Sequence, residues 1–208
     1  RKSINLMLTL DNENKFSGKL YLSSNHYEAL NRSDKYRSAT NETDFLKDYK
    51  TGKPGLGIKN YKIENLDNLK ENLIETMDVM IEDNIEEAGN LAYFTPLLFE
   101  RTKENPFKLE ERKFPVDFGF PTEENYRITI ELPKGYTLDK APKNEKIALP
   151  NNSASFTFMF AADEGKIMIN SKISITKAFF TSDEYHLLKE LFKNIVRKQA
   201  EQIVFKKG

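Results

Sequence analysis

The sequence contains no cysteine and no tryptophan among its 208 residues. The absence of cysteine excludes disulfides, thiol nucleophiles, cysteine-ligated zinc and iron–sulfur clusters. The sequence also has no excess of either charge. Its 32 basic and 32 acidic side chains give a net charge of +0, and the two signs are interleaved along the chain. Binding to a nucleic-acid backbone needs clustered Lys and Arg, so we expect no nucleic-acid partner.

Long apolar runs are also lacking. No segment approaches the roughly 18 consecutive apolar residues of a membrane-spanning helix, and we expect no membrane span. The chain opens on Arg1-Lys2-Ser3 and has neither an initiator methionine nor a signal peptide, which indicates a fragment or a processed chain. A chain of this length buries roughly 70% of its unfolded surface, enough for one sizeable core or two small ones.

Hydrophobic patterning in the first half of the chain indicates strands with two helices among them. Period-2 alternation at 4–10 and 16–22 predicts an antiparallel hairpin over residues 4–23. A polar helix is predicted over 25–39 with Asn25 as its cap, and a second helix over 42–50 that ends at Gly52. Further strands are predicted over residues 56–64, 72–82 and 91–94.

A charged segment, Arg101 to Lys113, contains Pro106 and is predicted to be a connector. Strands are predicted beyond it over residues 116–120, 126–132, 153–161 and 166–178. Short strands at this spacing favour a mainly β fold: an antiparallel β-sandwich with short surface helices and one C-terminal amphipathic helix packed on a sheet. The chain then divides into residues 1–104 and 105–208, or forms one continuous sandwich.

The C-terminal helix has the clearest signals. Thr181 and Glu184 form a predicted capping box. The apolar stripe that follows recurs at helical spacing through Tyr185, Leu188, Leu191, Phe192, Ile195 and Gln199. Residues 202–207 are predicted to form a short closing strand.

No constellation of residues predicts catalysis. Ser182 and His186 stand four residues apart with Asp183 nearby, but the first turn of a helix explains the short oxygen-bearing side chains and His186 is predicted to face solvent. The acidic clusters lack the spacing of a calcium loop, and the glycine-rich run 52–57 lacks that of a phosphate loop. We therefore expect no catalytic, cofactor-binding or metal-ligating residues.

One series of short motifs is more distinctive. It comprises Asn105-Pro106-Phe107, the run RKFPVDFGFP at 112–121, LPKGY at 132–136, Ala141-Pro142, and the tail segments 185–189 and 199–204. Two further segments of the same series lie upstream of these motifs: Gly18-Lys19-Leu20 and YEALNR at 27–32. This series resembles the C-terminal β domain of unknown function that follows a transglutaminase-like domain in exported multidomain proteins of Gram-negative bacteria.

The resemblance implies a location in the periplasm or at the cell surface. It also implies a Cys-His-Asp catalytic centre in the preceding domain, and none of those three residues can be assigned here. The chain is then a non-catalytic accessory domain, a monomer whose partner is the upstream domain of the same polypeptide. The alternative is a stand-alone module that binds glycan or a cell-surface protein.

Within the resemblance, the run 112–121 is the candidate docking or structural motif: Arg112, Pro115, Asp117, Phe118 and Pro121. The two prolines are expected to bracket a short edge strand. Asp117 is expected to accept hydrogen bonds from an adjacent turn or to pair with Arg112.

Overall fold

The computed structural model describes residues 1–68 and 70–207. Strands account for 43% of the chain and helices for 21%, and most strand pairs are antiparallel, which confirms the predicted mainly β class. Three α-helices accompany the strands: α1 His26–Ser38, α2 Glu42–Lys50 and α3 Tyr185–Gln199. The strands are β1 Lys2–Leu10, β2 Phe16–Ser24, β3 Leu56–Glu64, β4 Leu73–Ile81, β5 Glu86–Ala88, β6 Leu91–Phe94, β7 Val116–Asp117, β8 Thr122–Glu131, β9 Thr137–Lys140, β10 Glu145–Ala148, β11 Ala154–Asp163, β12 Lys166–Ile175, β13 Phe179–Phe180 and β14 Ile203–Lys206.

Eight strands form the main sheet, in the order β10-β11-β12-β8-β1-β2-β4-β3. All neighbours in it are antiparallel except β1 and β8, which run parallel from Lys2 opposite Glu124 to Thr9 opposite Glu131. This pair joins strands from both sides of the predicted division at residue 104. The division into two domains stays a prediction, and the sheet is continuous across it.

One face of the main sheet is apolar and covered. Its side chains come from alternate positions, as in β1, where Ile4, Leu6, Leu8 and Leu10 are all buried. A four-stranded sheet, β5-β6-β14-β9, packs over part of this face. Phe94 on β6 connects the two layers through its ring contact with Phe16 of β2 at 5.5 Å, and it also stacks on Phe205 of the neighbouring β14 at 5.6 Å.

Helix α3 covers another part of the same face. Tyr185, Leu188, Leu191, Ile195 and Gln199 are buried, and the helix packs on β11. The predicted stripe is confirmed, as is the closing strand β14. The opposite face of the main sheet is uncovered and carries four exposed methionines: Met7, Met80, Met159 and Met168.

Several predicted boundaries need correction. The strand predicted over 116–120 ends at Asp117, because the Asp117 carboxylate accepts a hydrogen bond from the Gly119 amide and Gly119 adopts φ +75°, which turns the chain away. Asn25 precedes α1 as predicted, but its side chain accepts from the N-terminal amine instead of capping the helix. Four strands were not predicted, β5, β9, β10 and β13, and each has two to four residues.

In the part of the chain that the structure describes, no helix is long and apolar enough to cross a membrane.

Candidate functional site

The predicted motif at 112–121 lies at the edge of the fold. Pro115 and Pro121 stand on either side of β7, and within residues 1–68 and 70–207 β7 pairs only with the two-residue strand β13. Arg112 donates a hydrogen bond from Nε to the Phe114 carbonyl at 3.0 Å, and Asp117 accepts from the Gly119 amide at 2.8 Å. Arg112 and Asp117 therefore satisfy local partners and are not paired with each other.

Two phenylalanines of this motif face opposite ways. Phe118 packs inward against Phe107 and Phe180, with ring centroids 6.4 Å and 5.8 Å away. Phe120 faces outward and stacks on Tyr27 of α1, with centroids 4.4 Å apart and ring planes at 22°. The motif thus contributes one aromatic ring to a surface that it shares with α1.

We define the α1 surface by Tyr27, Leu30 and Phe120, which are 61%, 43% and 37% exposed. A groove of about 320 Å³ runs beside them, lined by His26, Ala29, Ser33 and Leu73 together with loop residues Asn65 and Asn68. Large apolar side chains that are exposed side by side are typical of interaction sites on otherwise polar monomers. The α1 surface is therefore the candidate functional site.

A buried ion pair attaches α1 to the sheet. Arg32 binds Glu75 of β4 with both forks of its guanidinium, Nε to Oε1 at 2.6 Å and Nη2 to Oε2 at 2.8 Å. Glu75 is 0% exposed, and it also accepts a hydrogen bond from the Tyr61 hydroxyl at 2.7 Å. Phe45 and Tyr49 of α2 flank the guanidinium, which lies 4.9 Å and 4.7 Å from their ring centroids.

The electrostatics of this network favour its charged form. Burial disfavours the charged form of Arg32 and by itself would lower its pKa. The adjacent Glu75 carboxylate has the larger effect, so the pKa of Arg32 is raised. Burial and the adjacent Glu75 carboxylate both raise the pKa of Tyr61, which keeps the phenol protonated as a donor. The position of α1 is therefore fixed by a satisfied, charge-assisted network.

The first residue of the chain lies beside the α1 surface. The Arg1 ammonium donates to Asn25 Oδ1 at 3.0 Å, and the Asn25 amide donates to the Arg1 carbonyl at 3.1 Å. His26, the next residue, has a φ of +52°, an uncommon backbone conformation for a residue with a side chain. Arg1, the start of α1 and the groove thus form one contiguous region.

A second polar cluster ties β1 to the loops around it. Glu100 accepts from Lys53 at 2.8 Å and from Lys2 at 3.3 Å. Burial raises the pKa of Glu100, but the two ammonium groups outweigh that effect and hold the pKa below its usual value. Burial lowers the pKa of Lys53, and Glu100 offsets this only in part.

The residues weighed for catalysis are not brought together. Ser182 lies in the turn before α3 and His186 is exposed on the helix, without a hydrogen bond between them. Glu184 accepts from the Thr181 amide at 2.8 Å, in the manner expected of a capping box. Among residues 1–68 and 70–207, no three His, Asp or Glu side chains are grouped so that they could hold a metal ion.

Comparison with known families identifies the C-terminal part of the chain. A family model described as a domain of unknown function with solved structure, DUF3858, matches residues 90–205. The chain belongs to the DUF3858 family. A search of curated proteins finds no match, and a search of solved structures finds none.

The DUF3858 match extends from the start of β6 into β14. It therefore includes Phe120 and the motif at 112–121, whereas Tyr27 and Leu30 lie outside it. The predicted resemblance to a β domain of unknown function is confirmed. Tyr27 and Leu30 were missed as site residues, although both lie in the motif segment at 27–32 and form an i, i+3 apolar pair on a helix predicted to be polar.

Proposed function

We propose that the chain is a non-catalytic accessory β domain that docks, through the α1 surface, on a transglutaminase-like domain preceding it in an exported bacterial protein. The chemistry of such a protein would reside in a Cys-His-Asp centre of the preceding domain. The DUF3858 membership and the motif resemblance support the coarse part of this proposal. The docking role proposed for the α1 surface is supported by its exposed aromatic side chains, which lie beside Arg1.

The composition of the α1 surface suits a docking role. Tyr27 and Phe120 are already stacked on each other, so their rings lose little freedom when a partner covers them. Aromatic side chains in partly enclosed positions are also the residues that contribute most to protein association. Covering Tyr27, Leu30 and Phe120 removes apolar area from water without a rearrangement of the helix.

The point at which the proposed preceding domain would be joined lies close to the α1 surface. In the proposed arrangement the preceding domain is joined at Arg1, whose carbonyl accepts a hydrogen bond from the Asn25 amide at the start of α1. A covalent connection at that point holds the partner at a high effective concentration next to the α1 surface. A modest contact area is then sufficient for stable docking.

The test is association between the 208-residue chain and the separately produced transglutaminase-like domain encoded before it in the same reading frame, measured by titration calorimetry. We expect binding by the unaltered chain and at least about tenfold weaker binding by the double variant Tyr27→Ser/Leu30→Ser. The matched control is Met7→Ser/Met168→Ser on the uncovered sheet face, where 43% and 44% exposure make the side chains comparable. This control should bind as the unaltered chain does.

Three results would contradict the proposal: no association, equal losses in both double variants, or a loss confined to the control. A glycan array probed with the isolated chain tests the alternative module directly. Glycan binding together with failure to bind the transglutaminase-like domain would favour a stand-alone glycan-binding module.

A further inference from the structure

A polar pocket of about 220 Å³ lies away from the α1 surface, between the loop after α2, the loop after β4 and the turn after β6. Pockets for drug-sized ligands measure about 300–1,000 Å³, so this one fits a smaller molecule. Four charged side chains line it, two carboxylates and two cations: Asp83, Glu86, Arg101 and Lys103.

These opposite charges do not neutralise one another. Within residues 1–68 and 70–207, Asp83 and Glu86 have no Lys or Arg nitrogen within 4.0 Å, and Arg101 and Lys103 have no carboxylate oxygen within that distance. Arg101 is half-buried, whereas Asp83, Glu86 and Lys103 are exposed. The pocket is therefore bordered by charges of both signs that are not neutralised by an ion pair.

The backbone around the pocket is in the left-handed region at three separate places. Gly52, Asp83 and Leu98 have φ values of +75°, +59° and +52°. Leu98 is the unusual member, because a bulky residue rarely adopts a positive φ, and it is 7% exposed. Strain of this kind persists only where surrounding contacts enforce it, and it concentrates at binding sites.

Hydrogen bonds hold the walls of the pocket in place. The Glu82 amide donates to the Gly55 carbonyl at 3.0 Å, which joins two of the loops. The Thr102 amide donates at 2.6 Å to Oε1 of Gln199, a side chain that is 0% exposed. Because Thr102 lies between Arg101 and Lys103, this bond fixes the backbone that carries both cations.

We propose that this pocket binds a small zwitterion, a free α-amino acid or a dipeptide, with its carboxylate on Arg101 and Lys103 and its ammonium group on Asp83 and Glu86. A guanidinium can bind a carboxylate through two parallel hydrogen bonds. Tyr93 and Phe99 also line the pocket and supply apolar contact for the ligand's side chain. A ligand with one charge meets like charges across the pocket and binds less well.

The test is a titration of the ¹⁵N-labelled chain followed by amide chemical shifts. The probes are L-alanine and L-alanyl-L-alanine, with N-acetyl-L-alanine and L-alaninamide as versions that each lack one charge. We expect saturable shifts at residues 83–86 and 101–103 with at least one zwitterion, and binding about tenfold weaker or less for both singly charged probes. The two zwitterions distinguish an amino-acid site from a dipeptide site.

Matched variants sharpen the result. Arg101→Gln and Asp83→Asn should each weaken binding about tenfold, whereas Lys146→Gln and Glu110→Gln, exposed charges that do not line the pocket, should leave it unchanged. The proposal is overturned if neither zwitterion gives saturable shifts up to its solubility, or if a singly charged probe binds as tightly as the zwitterions. If a pocket variant fails to fold, the comparison of zwitterionic and singly charged probes on the unaltered chain still tests whether the pocket binds a zwitterion.

Discussion

Two helices lie over the covered face of the main sheet, and different forces hold them there. α3 buries an apolar stripe that includes Leu188 and Ile195, both 0% exposed. α1 buries Ala29 and Ser33 fully, packs Tyr36 against Phe45 and Tyr61, and is attached through the Arg32–Glu75 ion pair. This attachment leaves Tyr27 and Leu30, near the start of α1, exposed to solvent, which is what a docking helix requires.

The largest expected effect is the loss of the α1 attachment. Glu75→Ala leaves the Arg32 guanidinium and the Tyr61 hydroxyl buried without partners, and it should destabilise the fold by about 3–5 kcal/mol. Chemical denaturation measures this change. The control is Arg32→Met/Glu75→Leu, which replaces both charges with apolar groups of similar size and should recover most of the loss. A double variant as unstable as Glu75→Ala would contradict this interpretation.

The α3 attachment should respond as an apolar core does. Leu188→Ala removes a fully buried side chain and should cost about 2–5 kcal/mol in the free energy of unfolding. Leu30→Ala on α1 is its counterpart, and its 43% exposure predicts a change within about 0.5 kcal/mol. If the two substitutions had equal effects, the proposed difference between the helices would be wrong.

A smaller, pH-dependent effect is expected at Glu100. Its pKa in the folded chain is held below the ordinary value of 4.5 by Lys2 and Lys53. The stabilisation from this cluster is therefore fully present above about pH 4.5 and is lost as the pH falls through the folded pKa. Glu100→Gln should reduce stability at neutral pH, and the deficit should shrink below pH 4.5. A deficit independent of pH in denaturation curves would contradict this assignment.

The smallest effect is expected at the motif that the sequence singles out. Arg112 is exposed and makes one side-chain hydrogen bond, to the Phe114 carbonyl two residues away. Arg112→Ala should change the free energy of unfolding by less than about 0.5 kcal/mol. A larger loss in denaturation, or a loss of association with the transglutaminase-like domain, would give Arg112 the structural or docking role predicted for it.

Local patterns explain how much of the fold could be predicted. The β1–β2 hairpin, the bounds of α2 and the α3 stripe follow from alternation, caps and helical spacing within one segment. The short strands β5, β9, β10 and β13 carry too few residues for a period to appear. The parallel pair β1–β8 joins residues about 120 positions apart, and no local pattern specifies such a partner.

The candidate site was hidden for the same reason. Arg32 and Glu75 are separated by 43 residues, and neither is unusual within its own segment. Phe120 was visible in the motif at 112–121, but its stack on Tyr27 depends on how that motif and α1 meet in space. Through-space pairing of this kind is set by the whole fold.

The central claim is that the α1 surface docks on a preceding transglutaminase-like domain, and hydrogen exchange tests it most directly. Exchange rates would be compared between the isolated 208-residue chain and the same chain joined to that domain. We predict slower exchange in residues 26–33 and around Phe120, and unchanged exchange in the strands bearing Met7 and Met168. Protection confined to those strands, or no protection at all, would contradict the claim.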